Sequence, residues 1–361
     1  MNQLHVLLKA GHTVESIQKL KQEFEREFRC EVDCEVVSED EAYGRLISGS
    51  DLPDVCTVPY WYLPELVEAN ILEPLSFEEI ETTHLSAAND ALSVSGQQFA
   101  VPHTLVGGAL FYRKDRLGIL ANQTFESLDS FLLQLEEIVH SGESIGLRTS
   151  PHFSSAETYR GLMFALGVDL FRQGFSEEDT VLYQMSKVVD LLSMQRTNIS
   201  NCGYSAVGEL FQSGQISLMF DTSAWATIFS KNPEFFELVE IEQLGIGPKA
   251  QFFYAEGLGM VSGSQNKALA MQFINWRQSD RVVSFEIDEL NRLDFPRSDL
   301  HALGSFAAKT KLKSGHRARY EVEKSWAIID DTYPVRAAGY VPWATAFSRA
   351  LSEKLIQRRN D

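Results

Sequence analysis

The sequence predicts an α/β fold in two lobes, because strand and helix patterns alternate along a chain too long for one compact core. The chain has 361 residues, and a single hydrophobic core rarely grows beyond about 250 to 300 residues. Residues 4–8 and 30–37 have strand-like patterns, with an amphipathic helix pattern between them. Strand, helix and strand in succession form a βαβ unit, which sets the two strands parallel.

The first helix is predicted from apolar residues that recur every three or four positions, with charged residues on the opposite face. That apolar stripe consists of Val14, Ile17, Leu20, Phe24 and Phe28. Similar patterns predict a turn and strand at 50–58, strands at 96–101, 110–112, 217–220 and 258–261, and helices at 41–48, 124–139, 155–166, 177–192, 205–212, 264–277 and 342–358.

Four cysteines are present, and two of them lie close together in sequence. Cys30 and Cys34 fall on one face of a predicted strand, about 13 Å apart at about 3.3 Å per residue. A disulfide requires Cα atoms within about 7 Å, so these two cannot bridge each other. We expect buried, unreactive thiols. Free thiols are unusual outside the cytoplasm, which keeps a cytoplasmic location open.

The charge balance argues against a nucleic-acid partner. The chain carries 32 basic and 50 acidic residues, a net charge of −18, which repels phosphates and anionic lipids. No run of about 18 apolar residues is present to span a membrane. Residues 1–8 lack the basic head and long apolar stretch of a signal peptide. A periplasmic or cell-surface location with the signal removed and a cytoplasmic location both remain open.

Five sequence blocks occur in order along the chain. They are Gly-Ser-Asp-Leu-Pro-Asp-Val at 49–55 with Ile-Leu-Glu-Pro-Leu at 71–75, Gly-Gln-Gln-Phe-Ala-Val-Pro at 96–102 with Leu-Phe-Tyr-Arg-Lys-Asp at 110–115, Thr-Phe-Glu-Ser-Leu at 124–128, Phe211 to Phe220 with Ser-Ala-Trp at 223–225, and Ala-Leu-Ala-Met-Gln-Phe-Ile-Asn-Trp at 268–276. Together they resemble the extracellular solute-binding protein family that includes the maltose-binding proteins.

This resemblance implies a periplasmic-binding-protein-like fold of type II, in which a hinge joins two α/β lobes and a ligand lies in the cleft between them. The lobes would be 1–104 plus 249–300 and 105–248 plus 301–361, with crossings near 104–110 and 245–250. It also implies a non-catalytic, monomeric protein that captures a carbohydrate, in particular an oligosaccharide, and hands it to the transmembrane subunits of an ABC importer.

A sugar site needs aromatic rings for the C–H faces and polar groups for the hydroxyls. Three consecutive aromatic residues, Tyr60, Trp61 and Tyr62, follow a predicted strand. They cannot all face one core, so we expect at least one to be exposed, with Tyr60 or Trp61 touching ligand. His103 follows Pro102 at the predicted first crossing and is a further candidate. Tyr254 and Glu256 are also candidates, on a predicted loop before a strand.

The resemblance adds five candidates. His152 and Phe153 match a segment that touches sugar in maltose-binding proteins, and Trp225 matches a tryptophan that stacks on sugar. Asp221 precedes it at a strand end and would accept a hydroxyl. Trp343 matches a late aromatic of the cleft. Trp276, by contrast, fits the apolar stripe of its own helix, so we expect it to pack in the core.

The sequence also bears on functions other than carbohydrate transport. An enzyme is disfavoured because no nucleophile elbow, zinc-binding motif or phosphate loop is present, and no pattern selects a carboxylate pair for glycoside hydrolysis. No cofactor or metal is expected. A cytoplasmic ligand-sensor domain of the same fold stays open as an alternative. So does a binding protein for a polyamine or another small solute, because acidic and aromatic residues also bind cations.

Overall fold

The computed structural model describes residues 2–11, 14–80, 84, 86–117, 128–165, 178–229, 232–242, 253–290 and 340–360. This part of the chain divides into two compact units, which we call unit 1 and unit 2. Unit 1 takes its described residues from 2–105 and 254–290, and unit 2 from 106–253 and 340–360. The predicted lobe limits at 248/249 and 300/301 lie outside the described residues, so the predicted boundaries stay a prediction.

Strands and helices alternate along the chain, as the sequence predicts. The strands are β1 (Asn2–Lys9), β2 (Cys30–Val37), β3 (Val55–Pro59), β4 (Ser93–Val94), β5 (Gln97–Gln98), β6 (Ala100–Arg113), β7 (Ile145–Gly146), β8 (Leu218–Thr222), β9 (Val239–Glu242) and β10 (Phe253–Met260). The helices are α1 (Val14–Phe28), α2 (Glu39–Ser48), α3 (Leu63–Glu68), α4 (Ser86–Ala91), α5 (Leu128–His140), α6 (Phe153–Ala165), α7 (Glu178–Met194), α8 (Tyr204–Gln212), α9 (Trp225–Phe229), α10 (Pro233–Phe236), α11 (Lys267–Arg277), α12 (Asp280–Leu290) and α13 (Tyr340–Asn360).

The sheet of unit 1 has the strand order β2-β1-β3-β10-β6. β1 runs parallel to β2 and β3, which confirms the predicted βαβ unit, and β10 runs antiparallel to β3. Every residue of β3 is buried, as expected for a central strand with both faces covered. The first four residues of the predicted α1 stripe are buried, and Trp276 packs in the same core, as predicted.

Asp54, in the Pro-Asp-Val block, has a structural role in unit 1. Its carboxylate accepts hydrogen bonds from the backbone N–H of His5 at 2.9 Å and from the hydroxyl of Ser264 at 2.6 Å. The side-chain amide of Asn266 approaches the same carboxylate at 3.3 Å. Asp54 therefore joins β1, the start of β3 and the loop before α11, which fixes the register of these three segments.

Three strand predictions need correction. β6 is continuous from Ala100 through Pro102, where the predicted strand ended, because proline's fixed φ suits extended backbone and costs only one donor. β10 begins at Phe253, so Tyr254 and Glu256 lie in a strand rather than in a loop before it. The alternation of β2 fails near its end, where Cys34 is half-buried, Val36 exposed and Val37 buried.

In unit 2, β6 continues beyond Leu105 and pairs antiparallel with both β8 and β9, while β7 runs parallel to β8. The order is therefore β9-β6-β8-β7. Apolar residues from β6, β8 and the helices of this unit form one core. Helix α13 packs against α6 and α7, and the Arg359 guanidinium donates to the carbonyls of Leu192, Gln195 and Thr197 at the end of α7.

Candidate ligand-binding residues at the two sheet edges

In unit 1, polar and aromatic side chains collect where parallel strands end. Lys9 is the last residue of β1, Tyr60 follows β3, and Glu39 begins α2 just after β2. The antiparallel strand β10 places Glu256 opposite Pro59, the last residue of β3. Ligands of open α/β sheets bind outside the carboxyl ends of the strands. This edge of the sheet is therefore the candidate site of unit 1.

The three consecutive aromatic residues after β3 are all buried, so the prediction that at least one is exposed is wrong. Tyr60, Trp61 and Tyr62 are 1%, 5% and 3% exposed. The Tyr62 ring stacks on Tyr43 of α2 at a centroid distance of 4.1 Å, and the Trp61 ring lies 4.9 Å from that of Tyr254 in β10. Three aromatic rings in succession can be buried because separate elements cover them.

A charged cluster surrounds the ammonium of Lys9. Its Nζ contacts a carboxylate oxygen of Glu256, lies 2.5 Å from the hydroxyl oxygen of Tyr254, and lies 3.9 Å from Oε2 of Glu39. Nζ is also 5.0 Å from the centroid of the Tyr254 ring. The indole N–H of Trp61 donates to Oε1 of Glu39 at 2.9 Å, and the Tyr254 hydroxyl donates to Glu256. We call these five residues the Lys9 cluster.

Lys9 is charged at neutral pH despite its position. Burial lowers the pKa of the ammonium, but attraction to Glu256 and Glu39 and the hydrogen bond to Glu256 outweigh it, so the pKa lies above its ordinary value of 10.5. His103, which sequence reasoning selected, is buried beside the cluster in β6. Its Nε2 lies 3.7 Å from Oε1 of Glu256, and its Nδ1 lies 3.0 Å from Oγ1 of Thr104.

In unit 2, an arginine and an aspartate meet at the ends of two parallel strands. Arg148 lies two residues beyond β7, and Asp221 is in β8. Nε of Arg148 donates to Oδ2 of Asp221 at 2.8 Å, and Nη2 donates to Oδ1. Burial lowers the pKa of Arg148, but attraction to Asp221 raises it above its ordinary value. The half-buried ring of Tyr204 lies 4.7 Å from the guanidinium carbon.

Trp225 begins α9, as predicted, but its ring belongs to the core of unit 2. The ring is 5% exposed and lies 4.6 Å from that of Tyr204 and 5.1 Å from that of Phe229. Gly208 leaves room for it, since a Cβ there would lie 2.0 Å from the indole. Within the described chain, the buried indole N–H has no hydrogen-bond partner. Stacking of Trp225 on a sugar stays a prediction.

The remaining candidates lie at helix starts. The half-buried His152 precedes α6, where its Nδ1 accepts from the backbone N–H of Ser154 at 3.2 Å and lies 2.8 Å from the Ser154 hydroxyl. Phe153 begins α6 and Trp343 lies in the first turn of α13, and both side chains lie outside what the structure describes. The ligand-binding roles of all three residues stay predictions.

Sequence reasoning missed four residues at the two edges: Lys9, Glu39, Arg148 and Tyr204. A signal was available for two of them, because Lys9 directly follows the first predicted strand, residues 4–8, and Arg148 closely follows the apolar Ile145. A charged residue just past a buried strand marks the edge where ligands bind. Glu39 and Tyr204 begin helices in segments of mainly polar sequence, so no comparable sequence signal marks these two residues.

All four cysteines are free, and Cys30 and Cys34 do not bridge each other, as expected. Burial raises the pKa of the Cys34 thiol to about 11 and that of Cys56 to about 12, which makes both thiols unreactive at neutral pH. Among the described residues, no group of three or more His, Cys, Asp or Glu side chains is placed to hold a metal ion. None of the helices described here is both long and apolar enough to cross a membrane.

Most of the chain matches one known protein family. Residues 10–283 match the family described as bacterial extracellular solute-binding protein. The chain belongs to this family. The resemblance stated from the five sequence blocks is thereby confirmed. Among curated proteins, no significantly similar relative was found.

Solved structures of other solute-binding proteins share the fold over nearly the whole chain. A solute-binding protein of Agrobacterium vitis S4 with bound D-mannitol is 17% identical, with a TM-score of 0.75, covering 99% of this chain and 94% of that one. Maltose-bound MalE3 of T. maritima is 17% identical, with a TM-score of 0.77 and coverages of 99% and 95%. The cyclic α-maltosyl-1,6-maltose binding protein of Arthrobacter globiformis is 16% identical, with a TM-score of 0.71 and coverages of 99% and 94%. The periplasmic-binding-protein fold is confirmed.

Proposed function

We propose that this solute-binding protein captures a carbohydrate without converting it and delivers it to the transmembrane subunits of an ABC importer. The observation that carries the proposal is a half-buried tyrosine ring at each sheet edge, beside hydrogen-bonding groups that are buried or half-buried. In unit 1 the ring is Tyr254, next to Glu256 and Lys9. In unit 2 it is Tyr204, next to Arg148 and Asp221.

These groups match the chemistry of a sugar. The C–H faces of a pyranose ring or an open polyol stack on an aromatic ring, and the hydroxyls bond carboxylates, ammonium and guanidinium groups. Among the proteins of like fold, two were solved with bound D-mannitol and maltose, and a third is named as the binding protein of cyclic α-maltosyl-1,6-maltose. They support neutral polyhydroxy solutes as the class, while their range of sizes leaves the length of the solute open.

Thermal unfolding of the purified chain tests the solute class. The panel contains D-mannitol, maltose, longer maltooligosaccharides, cyclic oligosaccharides, putrescine, spermidine and amino acids. A solute that binds only the folded state stabilises it by about 2.7 kcal/mol at one hundred times its Kd, and this raises Tm. We expect a rise with at least one carbohydrate. A rise with a polyamine and with none of the carbohydrates would overturn the proposal in favour of a cation-binding protein.

Two variants assign the contact in each unit. Tyr254→Ala and Tyr204→Ala are each expected to weaken carbohydrate binding by about tenfold or more, because each removes a stacking face. Calorimetric titration gives the Kd. The matched control is Trp276→Phe, which alters a buried ring packed on Phe24 and Phe273 in the core of unit 1. It is expected to lower Tm and leave Kd unchanged.

The absence of turnover, the location and the partner are separate parts of the proposal. The bound carbohydrate should be recovered intact by chromatography after prolonged incubation. Cell fractionation should recover the protein outside the cytoplasm. Light scattering should show a monomer, and importer subunits should co-purify with the protein. Recovery from the cytoplasm with bound solute and without importer subunits would favour a ligand-sensor domain of the same fold.

A further inference from the structure

The Lys9 cluster has the composition of a receptor for a primary ammonium ion. Nζ of Lys9 is surrounded by two carboxylates, a phenolic oxygen at 2.5 Å and an aromatic ring centroid at 5.0 Å. Carboxylates and aromatic faces are the groups that bind alkylammonium ligands in proteins. Here the ammonium belongs to the chain itself, and the side chains of Lys9, Glu39 and Glu256 are 15%, 21% and 3% exposed.

Lys9 is held in this place by its own strand. Its backbone N–H donates to the hydroxyl of Thr57 in β3 at 3.2 Å, and β1 pairs with β2 along its whole length. The ammonium is therefore tethered beside Glu256 and competes with any free cation at a high effective concentration. A second ammonium would also be repelled by the charge of Lys9 at short range, where partial burial weakens screening by water.

A neutral solute meets no such barrier. Its hydroxyls can accept from the ammonium and donate to Glu39 or Glu256 without bringing a charge to the cluster. We propose that Lys9 is a specificity-determining residue: it fills an alkylammonium receptor from within the chain and so restricts the solute of unit 1 to neutral, hydroxyl-bearing molecules. This inference rests on the proposed carbohydrate function for the identity of the neutral solute.

The test removes the Lys9 ammonium by mutation and then supplies a free alkylammonium ion in its place. Lys9→Ala removes three side-chain carbons and the ammonium, which together correspond to propylammonium. Calorimetric titration with propylammonium chloride should show binding to Lys9→Ala at least about tenfold tighter than to the wild type. 1-Propanol and sodium chloride at equal concentrations should not reproduce it. The matched control is Lys19→Ala, which removes an exposed lysine paired with Glu15 on α1 and should gain no amine binding.

A second pair of variants keeps the test decisive if Lys9→Ala folds poorly. Lys9→Gln retains a hydrogen-bonding side chain and removes the charge, so it should also gain affinity for propylammonium and for putrescine. Adding Glu256→Gln to either variant should abolish the gain, because one of the two carboxylates is then neutral. Unchanged amine affinity in both Lys9 variants, or a gain that survives Glu256→Gln, would overturn the inference.

The outcome is separate from that of the proposed function. If the Lys9 variants gain amine binding while the wild type binds no carbohydrate, the ammonium receptor stands and the carbohydrate proposal fails. If the wild type binds carbohydrate and the variants gain no amine affinity, the carbohydrate proposal stands and the ammonium receptor fails. Tight binding of putrescine or propylammonium by the wild type, with no binding of any carbohydrate, would overturn both.

Discussion

Both units bury a carboxylate at the carboxyl edge of their sheet, but they neutralise it with different cations. In unit 1, the ammonium of Lys9 is shared among Glu256, Tyr254 and Glu39. In unit 2, the guanidinium of Arg148 holds both oxygens of one aspartate. An ammonium is a compact point charge with rotatable donors, whereas a guanidinium is a rigid fork. The unit 1 edge can therefore redistribute its hydrogen bonds, while the unit 2 edge is fixed.

The largest expected effect comes from removing the carboxylate charge in each unit. Asp221→Asn neutralises the carboxylate that pairs with the buried Arg148, and the free energy of unfolding should fall by about 3 to 5 kcal/mol. Glu256→Gln should cost less, about 1 to 3 kcal/mol, because Lys9 keeps Glu39 and Tyr254. Urea unfolding, monitored by amide hydrogen exchange in each unit, measures the loss in free energy of unfolding for both variants.

The control for these two variants is Glu23→Gln. Glu23 pairs with Arg281 at 2.7 Å on the exposed surface of unit 1, where water screens the pair, so only a slight change in stability is expected. Equal losses in Asp221→Asn and Glu256→Gln would show that the ammonium and the guanidinium respond alike, and the comparison would then fail.

A smaller effect is expected from crowding the aromatic packing of unit 2. Gly208→Ala places a methyl group where the Trp225 ring lies, 2.0 Å from its nearest atom. The ring is held between Tyr204 and Phe229, so it cannot move aside freely. Overpacking of this kind costs about 1 to 3 kcal/mol. Gly263→Ala in unit 1, where no atom beyond the adjoining residues lies within 4 Å of the added group, should leave the urea midpoint nearly unchanged.

The smallest expected effect is the change with pH in the stability that each of the two cations contributes. A pKa raised by folding stabilises the protein below the unfolded pKa, and this contribution is lost as pH rises through the folded pKa. Lys9 has an ordinary pKa of 10.5 and a higher one in the fold. The stability difference between wild type and Lys9→Met should therefore stay constant to about pH 9 and disappear above the raised pKa.

Urea unfolding of both proteins between pH 7 and pH 12 measures this difference. Arg148, whose pKa is also raised above its ordinary value, should keep its pairing with Asp221 over the same interval. Hydrogen exchange in β8 should therefore stay protected at a pH where β10 has begun to open. Simultaneous loss of protection in both strands would contradict the distinction between the two edges.

Much of the fold could be predicted from short-range patterns. The predicted first helix and second strand coincide with α1 (Val14–Phe28) and β2 (Cys30–Val37), because periodicity and alternation act within one element. The order of motifs sufficed to identify the family. The continuity of β6 through Pro102 could not be predicted, because β6 is placed beside β10, a strand that is distant in sequence.

The candidate sites were predictable only in part. Sequence patterns selected Trp61, Tyr254 and Glu256, which the fold of unit 1 brings into one cluster, but not Lys9 or Glu39. The distance in sequence between Lys9 and Glu256 hides their contact, which forms only because β10 returns to pair with β3. The prediction that one of the three consecutive aromatic residues is exposed was wrong because of such long-range contacts, since α2 and β10 cover these residues from different directions.

The sequence by itself determined the alternation of strands and helices, the absence of a disulfide between Cys30 and Cys34, and membership of the solute-binding family, because these depend on local pattern and motif order. The tertiary structure alone decided which charges neutralise each other at the two sheet edges. Pairing a buried charge depends on distances of a few ångströms between residues far apart in the chain. Only the strand order β2-β1-β3-β10 brings Lys9 to Glu256, and only the parallel pairing of β7 with β8 brings Arg148 to Asp221.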